Sequence, residues 1–342
     1  MKQGSKVHKT LEDQVYTIVE VDIRTKEDAW GLRIWNVIQG LKTLRDTGMT
    51  RELEVWGVFD GLVVNGVLDE LSYICPDREL EEGTAKPNKD TIPEDQTSIT
   101  SFLSSDGGNK NHPGGVKNLK DIIMKTSRIY VTDVKTRGAK SIPKGASFRP
   151  TLMQLMIYHR LLSDLATNKV NANVVFDRYE LDCAAPFSDS FIAQIGNLNE
   201  AFFDAPLDPK LNDDDLSPTQ DSMQILLEHN SLQQLWGLMI QEFQRTMPVG
   251  VKSIGNVLKA EYRAQGSGDI LGIKTFLYDD NVMQKYLDDE MSWWKGEREA
   301  QGVCIEEAYK CGFCEFAEEC SWRREKIDEA TQAHRTRTRS QV

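Results

Sequence analysis

Asp133-Val134-Lys135 puts a carboxylate and an ammonium two residues apart on Arg128–Arg137, a run that reads as a β-strand. Side chains alternate along a strand, so Ile129, Val131, Asp133 and Lys135 share one face. A carboxylate can hold a hard divalent cation, and an ammonium on the same side can orient a water or stabilise charge on a phosphate. Alone, this dyad is a common accident whose usual outcome is a salt-bridged surface strand. Three further signals raise it. Asp69 interrupts an apolar strand, where burying a carboxylate is costly unless it has a partner; its bland alternative is an edge or solvent-facing position. Gln154 and Tyr158 stand at i and i+4 on a helical run and can face one site, although such pairs are more often plain helix surface. His8, with Gly4 and Glu12, lies on a polar N-terminal stretch, where a lone histidine is usually incidental. In this order, ahead of a cysteine cluster, the signals are hard to reach by chance.

The cysteines carry the second chemistry. Cys304, Cys311, Cys314 and Cys320 fall within the last eighth of the chain, while Cys75 and Cys183 stand apart in sequence. Cys311-x2-Cys314-x5-Cys320 is thiolate spacing for a soft metal, either zinc or an iron–sulfur cluster, and spacing alone does not choose between them. The clustering points to a local metal site in a reducing compartment, not to a secreted disulfide framework.

The elements that must position these groups follow from periodicity. Residues 25–48 read as a helix capped by Thr25, with Glu27 and Asp28 in its first turn and a core stripe of Trp30, Ile34, Val37, Leu41 and Leu44. Residues 53–74 read as a β-hairpin turning at Asn65-Gly66. From about Cys75 to Lys125 the pattern collapses into Pro, Gly, Ser, Asn, Asp and Lys, as expected of an insertion. A helix is expected over 151–165, a strand over 173–182 and one helix over 222–246. A hairpin is expected at 256–264 and 270–278, and a last helix over 280–298. The pattern predicts an α/β fold divided as a core over 1–185 with an insertion at 75–127, a helical and hairpin elaboration over 186–300, a cysteine motif over 301–325 and a basic tail over 326–342.

The bulk numbers permit this and narrow the alternatives. With 342 residues, 39% hydrophobic and 27% charged, the chain can bury a sizeable core. No stretch approaches the ~20 apolar residues of a membrane helix, and Met1–Leu11 shows no secretory signal. The net charge of −12 argues against general nucleic-acid affinity but does not exclude a local basic groove. Asp204, Asp208, Asp213, Asp214, Asp215 and Asp221 read as a solvated linker. Arg323, Arg324, Lys326, Arg335, Arg337 and Arg339 read as a basic, fraying end that could touch a DNA backbone.

The order Gly4/His8/Glu12, Gly66/Asp69/Glu70/Leu71, Asp133/Lys135/Thr136/Arg137, Gln154/Tyr158 and Cys311/Cys314/Cys320 resembles the exonuclease V family of fungi and animals. More distantly it is similar to the RecB and AddB nuclease domains. The resemblance covers nearly the whole chain outside 75–127 and the acidic loop. It implies a PD-(D/E)xK, restriction-endonuclease-like nuclease core of RecB type, with helical additions and a C-terminal iron–sulfur motif. It also implies Mg2+ (or Mn2+), a four-cysteine [4Fe–4S] cluster and single-stranded DNA as substrate, cut from 5′ ends. By position, His8, Asp69 and Asp133 would ligate the metal, with the Val134 carbonyl as a further ligand. Lys135 would position or activate the attacking water, supported by Gln154 and Tyr158. Cys311, Cys314 and Cys320 would hold the cluster, which would tie the last helix back to the N-terminal region.

In the family the first cluster cysteine precedes the histidine helix, at which this chain starts. Either Cys304 substitutes or the N-terminus is truncated, and truncation is the favoured expectation. A monomer is expected, working on single-stranded DNA, with a single-strand-binding protein as a candidate partner and no membrane. Its expected place is the mitochondrion, with the nucleus as alternative and no targeting segment in this chain. Two competing readings are a catalytically impaired DNA-binding or scaffold protein of the same fold, and a zinc protein whose cysteines only close the C-terminus.

Overall fold

In the computed structural model, residues 23–84, 128–202 and 219–339 are described. The chain is mixed α/β. Helix α1 (Lys26–Thr47) leads into the hairpin β1 (Met49–Phe59) and β2 (Leu62–Ser72), then short α2 (Arg78–Thr84) and β3 (Tyr130–Arg137). Next come α3 (Arg149–Ala166), α4 (Ala172–Arg178), α5 (Asp189–Phe202), α6 (Thr219–Glu228) and α7 (Leu232–Thr246). The chain then returns to the sheet as β4 (Val257–Ala264) and β5 (Ile270–Leu277), and ends in α8 (Asp280–Trp294) and α9 (Ser321–Arg339).

The five strands lie in sequence order in one sheet. Every neighbouring pair is antiparallel except β3 and β4. The expected second hairpin therefore extends the central sheet and does not pack on it as an elaboration. A parallel pair needs a long crossover, and α3 to α7 supply it. Helix α1 packs on β1 and α7, and α3 packs on β1, β3, β4 and α7. Between them sits the core, centred on Trp56, with Trp30 at 5.9 Å and Trp236 at 5.6 Å between ring centroids.

Helix α1 forms as its sequence signals. Thr25 Oγ1 accepts from the Asp28 N–H and the Asp28 carboxylate accepts from the Thr25 N–H, a closed capping box. All five residues of the expected apolar stripe are buried. Asp28 goes further than a dipole partner. Fully buried, it also accepts from the N–H and hydroxyl of Ser188, at 3.0 and 2.8 Å, and ties the start of α1 to the start of α5.

Four local expectations are corrected. The first hairpin turns at Asp60-Gly61, where both residues have positive φ (49° and 80°), and not at Asn65-Gly66, which lies inside β2. Both dipeptides suit such a turn; the one that wins leaves strands of equal length. Residues 173–182 do not form a strand, because Asn171 caps α4 through the Asn173 N–H, and Val175 and Phe176 bury themselves in the core. The expected helix over 222–246 is two, since His229-Asn230 breaks it and Ser231 caps α7. The C-terminal end is helical as far as Arg339, not frayed from 326. The acidic loop from Asp204 to Asp215 lies outside the described residues, as do the 85–127 part of the insertion and His8. Among the described residues no helix is long and apolar enough to cross a membrane.

Candidate active site

The site forms where two strands part. β2 and β3 pair at Ser72↔Tyr130, Leu71↔Val131 and Glu70↔Thr132, and the ladder stops one step before Asp69 and Asp133. β3 meanwhile stays paired with β4 as far as Arg137. The parting strands take away the ladder partner that the Val134 N–H would meet, and the Asp69 carboxylate replaces it, accepting that N–H at 2.6 Å. A buried N–H left without an acceptor would cost about 1–3 kcal/mol. Asp69 thus closes the gap in the ladder with its own side chain.

Asp133 is 1% exposed, and Lys135 donates from Nζ to its Oδ1 at 2.9 Å. The lysine side chain is 32% exposed, so it links the buried carboxylate to solvent. The register places small Ala260 beside Asp133 and Lys274 beyond it, with Tyr262 beside Lys135. Lys274 holds its ammonium 4.1 Å above the Phe148 ring, a cation–π contact that fixes a second cation on the sheet face carrying the dyad.

Helix α3 supplies the next wall. Its first turn is anchored to β4 through the Tyr262 hydroxyl, which donates to Thr151 Oγ1 at 3.4 Å. One turn on, Gln154 Nε2 donates to the Tyr158 hydroxyl oxygen at 2.8 Å. That phenol is held above its ordinary pKa first by burial, and the negative charges of Asp133 and Asp69 push it the same way. The Gln154 bond and the Lys135 charge pull it down, by less. Tyr158 therefore stays protonated at neutral pH. With its oxygen engaged by Gln154, its proton is directed to some other acceptor.

The structure thus brings Asp69, Asp133, Val134, Lys135, Gln154 and Tyr158 close together, and His8 lies outside the described residues. Among the described residues, no three His, Cys, Asp or Glu side chains gather into a set that could hold a metal ion. Two carboxylates and a backbone carbonyl are oxygen donors suited to a hard divalent cation, and a third side chain would have to come from elsewhere. The cysteine segment docks close by. Its 3-10 stretch Ile305–Phe313 packs against Gly145–Phe148, the turn just ahead of α3. Cys304, Cys311, Cys314 and Cys320 are all free thiols. The Cys304 thiol donates to Glu307 Oε2 at 3.5 Å, and burial and that carboxylate raise its pKa. Thiol donors fit zinc or an iron–sulfur cluster and not magnesium, but the structure does not gather Cys304, Cys311, Cys314 and Cys320 into a set of three that could hold either.

Two positions take parts that the motif reading did not assign. Gly66, quoted in the resemblance without a role and read locally as a turn, meets the Tyr158 ring inside the strand. The usable signal was a glycine inside a strand pattern, which often marks a close approach. The other is Glu52. It takes φ 50°, and the β1–β2 ladder runs from Arg51↔Glu70 to Leu53↔Leu68, passing over Glu52 and Asp69. The hairpin kinks at the level of Asp69. No sequence signal marks Glu52, since left-handed backbone is uncommon outside Gly, Asn and Asp.

The chain is similar to exonuclease V of zebrafish (Danio rerio), 23% identical over 328 residues, which are 95% of this chain and 62% of that protein. It is also similar to the mitochondrial exonuclease V of Eremothecium gossypii, 26% identical over 318 residues, covering 80% of this chain and 54% of that protein. A shorter match, 28% identical over 141 residues, links it to mitochondrial exonuclease V of Candida dubliniensis, covering 41% of this chain and 20% of that protein. The chain spans less than two thirds of the length of these relatives. The family model described as exonuclease V, a 5′ deoxyribonuclease, matches residues 1–323, and with nearly the whole chain matched, the protein belongs to the exonuclease V family.

Proposed function

We propose that this protein is a metal-dependent exonuclease that hydrolyses phosphodiester bonds of single-stranded DNA from 5′ ends. The observation that carries the reading is the Asp69 carboxylate on the Val134 N–H, at 2.6 Å, beside the Asp133–Lys135 pair. It supports a nuclease reading of PD-(D/E)xK type, because it joins residues that are distant in sequence. Asp69, Asp133 and the Val134 carbonyl would hold Mg2+ or Mn2+ with His8. When bound, that ion supplies an activated water and screens charge on the phosphate. Lys135 holds its ammonium where it can orient the water and meet the developing negative charge. Tyr158 keeps a proton to donate to a phosphate oxygen, and Gln154 fixes the direction from which it does so.

Cys311, Cys314 and Cys320 would hold a [4Fe–4S] cluster, with Cys304 or a cysteine outside this chain as the fourth ligand. Its part would be structural, closing the C-terminal segment on the turn before α3. Fungal relatives carry the name mitochondrial exonuclease V, which supports a mitochondrial place and a part in maintaining that genome. The working unit proposed is a monomer.

The test is shortening of end-labelled single strands by purified protein with and without magnesium. Cleavage should require the metal and vanish in Asp133→Asn and Lys135→Ala. Either variant cutting at the wild-type rate would remove the catalytic assignment. Strand binding without metal-dependent cleavage would instead support the scaffold alternative.

A further inference from the structure

We infer that Gly66 is a positioning residue of this site: the bare backbone of β2 at Gly66 is the surface against which the Tyr158 ring is set. The inference rests on the nuclease reading and assigns a role to a position outside its chemistry.

A Cβ built on Gly66 would lie 2.5 Å from Tyr158 Cε1 and 3.3 Å from both Cδ1 and Cζ. Real Cβ atoms essentially never come within 3.0 Å of such a neighbour. Gly66 sits opposite Val55 in a regular antiparallel ladder and is not among the residues with positive φ. Its backbone is therefore one that alanine adopts freely, and a glycine inside a strand otherwise only weakens it. What the position requires is the absence of a side chain. The ring fills that space and is held at two places, its edge by the strand and its oxygen by Gln154 at 2.8 Å.

The strand that sets the ring is the one that carries Asp69, three residues on. Contact at Gly66 thus fixes the phenol relative to the carboxylate that caps Val134, across the parting of β2 and β3. One turn along the same helix, Leu161 meets Gly57 of β1 in the same way, its Cδ2 well inside 3.0 Å of a Cβ built there. Helix α3 lies on two glycine gaps, one beneath a site residue and one beneath a core leucine. The second is a built-in control.

The test is a double-mutant cycle on kcat and KM for single-stranded DNA, with each variant's folded fraction set by thermal melts. Gly66→Ala should lower kcat at least tenfold with KM changed less than threefold. In a Tyr158→Ala background the same substitution should change kcat less than twofold. Gly57→Ala should lower the melting temperature while leaving kcat per folded molecule unchanged. Should Gly66→Ala fail to fold, Gly66→Ala/Tyr158→Ala should fold again, because the ring it strikes is gone; failure to fold would overturn the inference. So would a Gly66→Ala kcat within twofold of wild type, or a loss that adds fully to that of Tyr158→Ala. Asp133→Asn run alongside separates the two ideas. If it is inactive while Gly66→Ala is not, only the positioning role falls. If it is fully active, the nuclease reading falls first.

Discussion

Single residues divide here between those that act and those that hold the actors. In the proposed nuclease Asp69 would do both, because its carboxylate also replaces a strand partner. Asp69→Ala should therefore abolish cleavage and also cost about 1–3 kcal/mol of stability, from the buried Val134 N–H it leaves open. Urea unfolding of the variant would check the second part, and an unchanged midpoint would show that water fills the gap at no cost. His159, next to Tyr158, behaves differently. It is 1% exposed, its ring stacks on Tyr278 at 4.0 Å, and neither ring nitrogen has a hydrogen-bond partner among the described residues. Burial pulls its pKa from 6.5 to about 4, against the opposing pull of Asp280. The folded state thus disfavours the proton that the unfolded chain accepts below pH 6.5. Its contribution is complete above that pH and is lost as pH falls toward 4, about 3 kcal/mol in all. Denaturant midpoints from pH 7 to 4 should fall in wild type, and His159→Leu should flatten that part of the slope. Of the site itself, Asp69, Asp133, Lys135, Gln154 and Tyr158 were legible because spacing along one strand or helix is a local property. The part played by Gly66, and Glu52 altogether, were not, because what they do depends on a second element that the sequence does not place.

At the scale of elements, local signals held wherever one reading was available. Thr25 caps α1 and the apolar stripe is buried as expected. Substituting Thr25→Ala should cost about 1 kcal/mol. Asp28→Ala should cost more, about 2–4 kcal/mol, since it opens both the capping box and the two bonds to Ser188. Equal losses in thermal melts would mean that the Ser188 contacts contribute nothing. Where two signals competed, distant contacts decided. Asp60-Gly61 and Asn65-Gly66 both suit a hairpin, and the ring of Tyr158 requires the second glycine elsewhere. Val174-Val175 favours a strand by propensity, yet the Asn171 cap turns the segment into α4.

For the whole molecule, an α/β fold was readable from the order of elements, but the division into a core and an added half was not borne by the sheet. β4, from the second half of the chain, is the strand that β3 pairs with from Thr132 to Arg137, the stretch that carries Asp133 and Lys135. A pairing across so long a crossover leaves no periodic trace in either strand. A fragment ending at residue 185 should accordingly show no cooperative thermal transition, because one edge of the strand holding Asp133 would be bare. A sharp transition in that fragment would restore the idea of an independent core.

The same parallel pairing sets a timetable for synthesis. Arg137 leaves the ribosome long before Val257 exists, and at about 5–20 residues per second the interval is on the order of ten seconds. Through that interval the nascent chain displays an open strand edge beside a buried carboxylate, a template to which another chain could stick. Ribosome-bound intermediates stalled between these points should recruit holdase chaperones, and those stalled after β5 has emerged should release them.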